Sequence, residues 1–300
     1  MNKNIYIYWL VYIPEKFIGI AERIVNEQLS LLKSSLLYDN CKQLTIGVIS
    51  GEEYFLKIKT TILDGIGSNT EKIHFIHTKQ NLGEGLILRK IYEDCIKSES
   101  DDYILYFHTK GMGVSVLNQP LKYVHKFLWR RAAETFLIGN WKKCLNVMDE
   151  DPSISICAPF VAHSPLARRG GSKLCDCMTR EQKEDFLNHR NIYNIKHNFN
   201  RFLFSLRRMR ISGNFWWTKT SYIKTIPEDV GYKFTEPANN GVRDCHEMFI
   251  TKGRIPYFVF SPCDNILLSK PIRNSVHSTS KHIYAIQEIF NNLFFDQQKF

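Results

Sequence analysis

Two segments of the chain carry side chains that could take part in chemistry. His108-Thr109-Lys110-Gly111 directly follows a predicted strand. A lysine ammonium, an imidazole and the N–H groups of a glycine loop can together neutralise an anion. The alternative is a surface lysine beside a buried, hydrogen-bonded histidine. Further along, Asp244, His246 and Glu247 are titratable residues on a short helical pattern, where ordinary surface carboxylates are the alternative.

The elements that must position these residues alternate between strands and helices. The apolar patterns predict helices between five strands at Asn4–Tyr12, Leu44–Ser50, Lys72–Thr78, Asp102–His108 and Ser153–Phe160. Several of these strands are continuously apolar, which is typical of a parallel sheet covered on both faces. We therefore predict an α/β fold with a Rossmann-like, mostly parallel sheet, in which ligands bind outside the carboxyl ends of the strands.

The second half of the chain has a different character. We expect a loop over 162–177, a basic helical segment over 179–210, and a short helix over 243–251. Residues 168–210 hold eleven Lys or Arg and four Asp or Glu, so they carry +7 of the net charge of +10. Such a local excess attracts phosphates, acidic glycans, anionic lipid or nucleic acid, and a solvated helix surface is the alternative.

Composition excludes several classes of protein. The hydrophobic fraction of 44% and charged fraction of 23% are typical of a globular chain. The longest apolar run, Ile5–Ile13, is too short to span a membrane and is better explained as a first strand, so we expect a cytoplasmic protein. The eight cysteines show no zinc-type spacing and are expected to be reduced.

Common nucleotide-dependent motifs are missing from the sequence. Gly83-Glu84-Gly85 follows the third predicted strand but lacks the third glycine of a dinucleotide-binding motif. The sequence also has no P-loop, no nucleophile elbow, no H-E-x-x-H and no kinase signature. An α/β sheet without these motifs still leaves transferases that use a sugar nucleotide.

Three segments together resemble a known family. They are 103–111 (YILYFHTKG), 213–219 (GNFWWTK) and 243–250 (RDCHEMFI), with Trp129-Arg130 between the first two. In this order they resemble GT-A type glycosyltransferases found in bacterial surface-polysaccharide clusters and in large viruses. The similarity extends over about residues 4–260. It implies a nucleotide-sugar donor and a glycan or glycolipid acceptor.

The resemblance also implies roles for individual residues. It implies a nucleotide-sugar-binding half at 1–165, a basic insertion at 166–212 and an acceptor-side half at 213–300. The expected donor-binding residues are Tyr12, Asn81, Gly83, Arg89, His108, Thr109, Lys110 and Gly111. Glu84, which also follows the third predicted strand, is a further residue that could touch ribose or diphosphate. The expected acceptor-binding residues are Asn214, Trp216, Trp217 and His246. Three of these assignments have structural alternatives: Tyr12 could be a core residue, Arg89 could pair with Glu93, and both tryptophans could pack in the core.

The resemblance breaks down at the metal site. GT-A enzymes usually carry D-x-D at the end of the central strand, where this chain has His108-Thr109-Lys110. Asp101-Asp102 lies at the wrong end of that strand and is expected to be a solvated strand start. We therefore expect no obligatory cofactor, with Mg²⁺ or Mn²⁺ as the alternative. Lys110 and His108 would then meet the charge that builds on the leaving group.

The catalytic base implied for an inverting transfer is Glu247, with Asp244 and Glu236 as rivals.

Two other functions compete with glycosyl transfer: a basic protein that binds or modifies nucleic acid, and an inactive sugar-binding scaffold. Nucleic acid is the less favoured partner because the charge lies on an insertion. An anionic membrane surface is a further candidate partner, which would make the protein peripheral.

Overall fold

The described residues form a seven-stranded mixed sheet in the computed structural model of the chain. The strand order is β3-β2-β1-β4-β8-β5-β9, and β6 and β7 form a separate pair. The strands are β1 (Ile5–Tyr12), β2 (Gln43–Ile49), β3 (Ile73–Thr78), β4 (Tyr103–His108), β5 (Ile154–Cys157), β6 (Val161–Pro165), β7 (Arg207–Ile211), β8 (Trp216–Lys219) and β9 (Phe258–Phe260). The structure describes residues 3–109, 127, 129–152, 154–159, 161–165, 207–211, 214–227, 234–238, 242, 246, 249–251 and 258–260.

Most neighbouring strands in the sheet run parallel. β1 pairs in parallel with β2 and β4, β2 with β3, and β5 with β9. β8 runs antiparallel to both of its neighbours, β4 and β5. The predicted mostly parallel α/β sheet is therefore confirmed. β8 and β9 come from the predicted acceptor-side half but lie in the same sheet as β1 to β5.

Helices cover both faces of this sheet. They are α1 (Ile18–Ser34), α2 (Leu37–Asn40), α3 (Glu52–Ile66), α4 (Gly85–Lys97), α5 (Trp141–Glu150) and α6 (Thr220–Ile223), with single 3₁₀ turns at Glu15–Phe17, Thr70–Lys72 and Phe249–Thr251. Residues 129–134 are also α-helical. A π-helical turn, Thr135–Gly139, precedes α5. None of the described helices combines the length and the apolar character that a membrane crossing requires.

The alternation of side chains along each strand divides the core into two layers. Ile7, Trp9 and Val11 of β1 pack on one face with α1, α3 and residues 132–148. Tyr8 and Leu10 pack on the other face with α4, α6 and residues 249–250. Side chains of β1 are therefore buried on both faces of the sheet. This burial explains why the sequence of β1 has almost no polar residues.

The structure corrects the predictions for the ends of the basic segment. Residues 162–165 were expected in a loop and residues 207–210 in a helix. They are instead strands β6 and β7, which pair antiparallel from Val161 opposite Ile211 to Pro165 opposite Arg207. Propensity and local pattern favoured a helix at 207–210, but pairing with a distant segment decides the local structure here. The rest of the predicted basic insertion, 166–206, lies outside the described residues.

Candidate functional site

The carboxyl ends of β1 and β4 lie side by side at the point where the strand order reverses. From β1 the order runs to β2 and β3 on one side and to β4 on the other. Thr109 connects the two strand ends, because its N–H donates to the Leu10 carbonyl at 2.9 Å and its hydroxyl accepts the Tyr12 N–H at 3.0 Å. In open α/β sheets such a reversal is where ligands bind. Tyr12, His108 and Thr109 therefore lie at the carboxyl edge of the sheet, and their expected role in binding a donor stays a prediction.

Glu84 is the carboxylate that faces the end of β4. It precedes the first residue of α4, and its Oε2 accepts the hydroxyl hydrogen of Tyr106 at 3.2 Å. Its Oε1 lies 3.6 Å from Nδ1 of His108, which is also 3.3 Å from the Tyr106 hydroxyl. Burial, followed by the charge of Glu84, raises the pKa of Tyr106, so this hydroxyl stays protonated and remains a donor.

Asn214 joins this centre to the second half of the chain. Its Nδ2 donates to Glu84 and, at 3.2 Å, to the carbonyl of His246. Its Oδ1 accepts the indole N–H of Trp216 at 2.8 Å. Asn214 is fully buried and has a φ of 52°, a left-handed conformation that asparagine tolerates better than most residues. Its amide therefore organises the protein, where the sequence predicted a contact with an acceptor hydroxyl.

The glycines on either side of Glu84 permit close packing with the second half. A Cβ on Gly85 would lie 2.6 Å from the backbone oxygen of Phe234 and 3.0 Å from Nε2 of His246. Gly83 has a φ of 58°, and a Cβ there would lie 3.0 Å from a methyl group of the facing segment. A side chain at Gly85 would have to displace backbone, and one at Gly83 would be both crowded and strained by the positive φ. These two glycines thus allow the turn before α4 to pack closely against Phe234, Ala238 and His246.

Asn81 belongs to the same turn and connects it to β1. Its amide donates to the Tyr12 hydroxyl at 3.4 Å, and its side-chain oxygen accepts the Gly83 N–H at 3.2 Å. Its carbonyl accepts the N–H of Ala238 at 2.7 Å. The structure therefore brings together Tyr12, Asn81, Gly83, His108, Thr109, Asn214 and His246 from the predicted list.

Three other predicted site residues are placed elsewhere. Arg89 is exposed on α4, and its Nε donates to Glu93 at 2.7 Å, which is the structural alternative. Trp216 and Trp217 face opposite sides of the sheet, and neither has any exposed surface. The indole N–H of Trp217 donates to the carbonyl of Leu137 at 2.9 Å. Core packing is therefore the role that the structure gives both tryptophans.

Several predicted site residues lie outside the described residues: Lys110, Gly111, Asp244 and Glu247. Their roles remain predictions. Conversely, Glu84 was expected only as one of several residues that could touch ribose or diphosphate. The signal that could have singled it out is its position between two glycines directly after β3, at the predicted carboxyl edge of the sheet.

The described residues do not fit a site for a divalent metal at this place. No group of three His, Cys, Asp or Glu among them is arranged to hold one. Mg²⁺ prefers several oxygen ligands, whereas the Glu84 carboxylate already binds Tyr106 and Asn214. Asp102 lies at the opposite end of β4 and is buried, where it accepts the backbone N–H of Asn4 at 2.8 Å. The expected solvated strand start is thus wrong for Asp102, although its position at the amino end is confirmed.

Comparison with known proteins adds no family for this chain. No family model and no curated protein matches it. Among solved structures, the chain is similar to 4-diphosphocytidyl-2C-methyl-D-erythritol synthase from Anaerococcus prevotii, with 9% identity and a TM-score of 0.36. That alignment covers 96% of this chain and 99% of the other. Similarity at this level carries no conclusion about function, which must be argued from the site itself.

Proposed function

We propose that the protein is a glycosyltransferase that moves a sugar from a nucleotide-diphosphate sugar to a hydroxyl group of a glycan or glycolipid. One observation carries this proposal. His108 and Asn214 both contact Glu84, and Asn214 also binds the backbone of His246, so all three segments that resemble the GT-A family contribute a residue here. They do so at the carboxyl end of β4 beside the end of β1, where ligands of such sheets bind.

The chemistry of the transfer matches the charges available at this place. The acceptor oxygen attacks the anomeric carbon, the bond from that carbon to the diphosphate oxygen breaks, and the nucleoside diphosphate leaves with the bonding electrons. Negative charge therefore builds on the leaving group and must be met by fixed donors or cations. In the proposed site these are the imidazole of His108, at the end of β4, and Lys110, two residues further along the chain.

The acceptor must also lose its proton as it attacks. A hydroxyl is a weak nucleophile until a neighbouring carboxylate accepts that proton. We assign this role to Glu247, which follows His246 directly in the sequence. The carbonyl of His246, the residue directly before Glu247 in the sequence, accepts a hydrogen bond from Asn214 at the candidate site.

A screen of nucleotide sugars tests the proposal. Purified protein is incubated with each donor, with and without glycan acceptors, and free nucleoside diphosphate is measured. We expect turnover with at least one donor, and Lys110→Ala to lower it about 10²–10³-fold. Lys97→Ala is the matched control, since it removes the same charge from the exposed far end of α4.

Three outcomes would contradict the proposal or part of it. Donor binding without turnover would favour an inactive sugar-binding scaffold. Salt-dependent retention of DNA, with no binding of any donor, would favour a nucleic-acid-binding protein. Loss of activity in excess EDTA, restored by Mn²⁺, would overturn the replacement of the metal by His108 and Lys110.

A further inference from the structure

A chain of buried polar side chains lies on the face of the sheet opposite Glu84 and ends at the backbone of His108. Gln28 is at its centre: its Nε2 donates to the His108 carbonyl at 3.2 Å and to Glu134 at 2.7 Å. The indole N–H of Trp9 donates to its Oε1 at 2.8 Å. Arg130 completes the network, with bonds of 2.9 and 3.2 Å to the two oxygens of Glu134 and a further bond to Glu27. His108 is thus held through its side chain from one face and through its carbonyl from the other.

The partners of Gln28 fix the orientation of its amide. An indole N–H can only donate, whereas a carbonyl and an ionised carboxylate can only accept. The Gln28 oxygen must therefore face Trp9, and its NH₂ group must face His108 and Glu134. Both hydrogens of that NH₂ group are used. Rotating the amide by half a turn would place its oxygen against two acceptors, so the network allows a single arrangement.

The hydrogen-bond network of Gln28 lies at the carboxyl end of β4. The N–H of Tyr12 donates to the side chain of Thr109 at 3.0 Å, and the carbonyl of His108 accepts from the side chain of Gln28. Side chains thus take part in the bonding at the end of the β1–β4 ladder, which is otherwise made by backbone groups. Because such bonds depend on the side chains present, Gln28 and Thr109 determine how the strand ends.

The burial of this network is costly and calls for a physical reason. Gln28 and Glu134 have no exposed surface and Arg130 is 1% exposed. Burial raises the pKa of Glu134, and the charge of Arg130 opposes this increase. A buried ion pair is commonly no more stabilising than apolar residues of the same volume. What the pair does supply is a fixed acceptor that orients Gln28.

We propose that Gln28 is a positioning residue: it holds the carbonyl of His108 and thereby fixes the position of Thr109 at the end of β4. The catalytic part of this proposal rests on the proposed transfer reaction. Gln28 would touch no substrate and would act only through the end of β4. Glu134 and Arg130 act one step further away, by holding Gln28.

Hydrogen exchange at single amides tests the positioning without any assay of activity. Gln28→Met keeps the length of the side chain but removes its three hydrogen bonds. We expect the amides of Tyr12 and Thr109 to exchange at least about tenfold faster, because local opening sets their exchange rate. Amides in the middle of β2 should change only in step with global stability.

A matched pair of tryptophan variants separates positioning from loss of stability. Trp9→Phe removes the indole bond to Gln28, while Trp141→Phe removes an indole bond of 2.9 Å to the Ser35 carbonyl. We expect only Trp9→Phe to accelerate exchange at Tyr12 and Thr109. This pair also decides the question if Gln28→Met does not fold. Equal exchange in the two variants would overturn the proposal.

A double-mutant cycle tests the catalytic part. Once a donor is known, Gln28→Met should lower kcat/KM up to about 10²-fold, as small misplacements at a site do. In a Lys110→Ala background it should cost little more, because the charged group that directly follows the positioned strand end in the sequence is gone. Full additivity would overturn action through the strand end. If no donor is turned over, the proposed function fails, whereas the exchange result still decides whether Gln28 holds the strand end.

Discussion

Asn214 offers a direct test of how the site is held together, because its amide bonds groups from three separate segments. Asn214→Gly removes the bonds to Glu84, to the His246 carbonyl and from the Trp216 indole. The two neutral bonds are worth about 1 kcal/mol each and the bond to the charged carboxylate about 2 kcal/mol. The free energy of unfolding should therefore fall by about 4 kcal/mol, a large share of the roughly 5–15 kcal/mol of a typical domain.

Comparison with Asn214→Ala separates the hydrogen bonds from the backbone. Both variants lose the same three bonds, but alanine must also adopt the left-handed conformation at φ 52°. That conformation costs a residue with a Cβ about 1 kcal/mol, which glycine avoids. Asn214→Ala should thus be about 1 kcal/mol less stable than Asn214→Gly.

A third variant, Asn214→Asp, adds a dependence on pH. It places a second carboxyl group beside Glu84, and burial and the like charge should raise the pKa of the new group in the folded state. When folding raises the pKa of a carboxyl group, the folded protein loses stability as the pH rises through that raised pKa. The penalty of Asn214→Asp relative to wild type should therefore be smallest at acid pH and should grow towards neutral pH.

Urea unfolding of the three variants, at several pH values, measures all of these effects. The midpoints and slopes give each free energy by linear extrapolation. Asn214→Gly within about 1 kcal/mol of wild type would refute the assignment of Asn214 as an organising residue. An Asn214→Asp penalty that shrinks as pH rises would refute the electrostatic reasoning.

Three other predictions concern the base, the close chain approach and the cysteines. Glu247→Gln should lower kcat by at least about 10²-fold with donor affinity little changed; near-normal kcat would move the role to Asp244 or Glu236. Gly85→Ala should destabilise by about 1–3 kcal/mol in urea unfolding, because its Cβ would meet backbone, whereas Gly19→Ala, with nothing within 4 Å, should not. Burial raises the pKa of Cys41 to about 11 and of Cys95 to about 12, so iodoacetamide at pH 8 should label them only after unfolding; rapid labelling of the native protein would contradict this.

The sheet could be predicted from the sequence because its signals are local. Each strand from β1 to β4 is a short run, mainly apolar, next to an amphipathic helix, and each observed bound differs from the predicted one by at most one residue. β7 could not be predicted in this way. Its sequence, Arg-Arg-Met-Arg-Ile, has a charged pattern that fits a helix surface as well as a strand. Its pairing with β6, more than 40 positions earlier, decides the outcome.

The site could be predicted less completely, because its contacts join distant parts of the chain. The position of His108 follows from the rule that ligands bind at the carboxyl ends of strands. The role of Asn214 does not follow from that rule, since its partner Glu84 lies 130 residues away. The structure does not place Arg89 with the other predicted donor-binding residues, and the reason is local. Arg89 forms an ion pair with Glu93, one helical turn further along, and needs no ligand for it.

Because β6 pairs with β7, the segment between them can change in length without any change in the rest of the fold. The chain leaves at Pro165 and returns at Arg207, directly opposite it in the ladder. The distance to be bridged is then the same for a tight turn as for the present long segment. Closing a longer loop costs only about 0.6 kcal/mol for each doubling of its length. Evolution can therefore lengthen, shorten or exchange this segment, with its positive charge, while the seven-stranded sheet and the residues around Glu84 stay as they are.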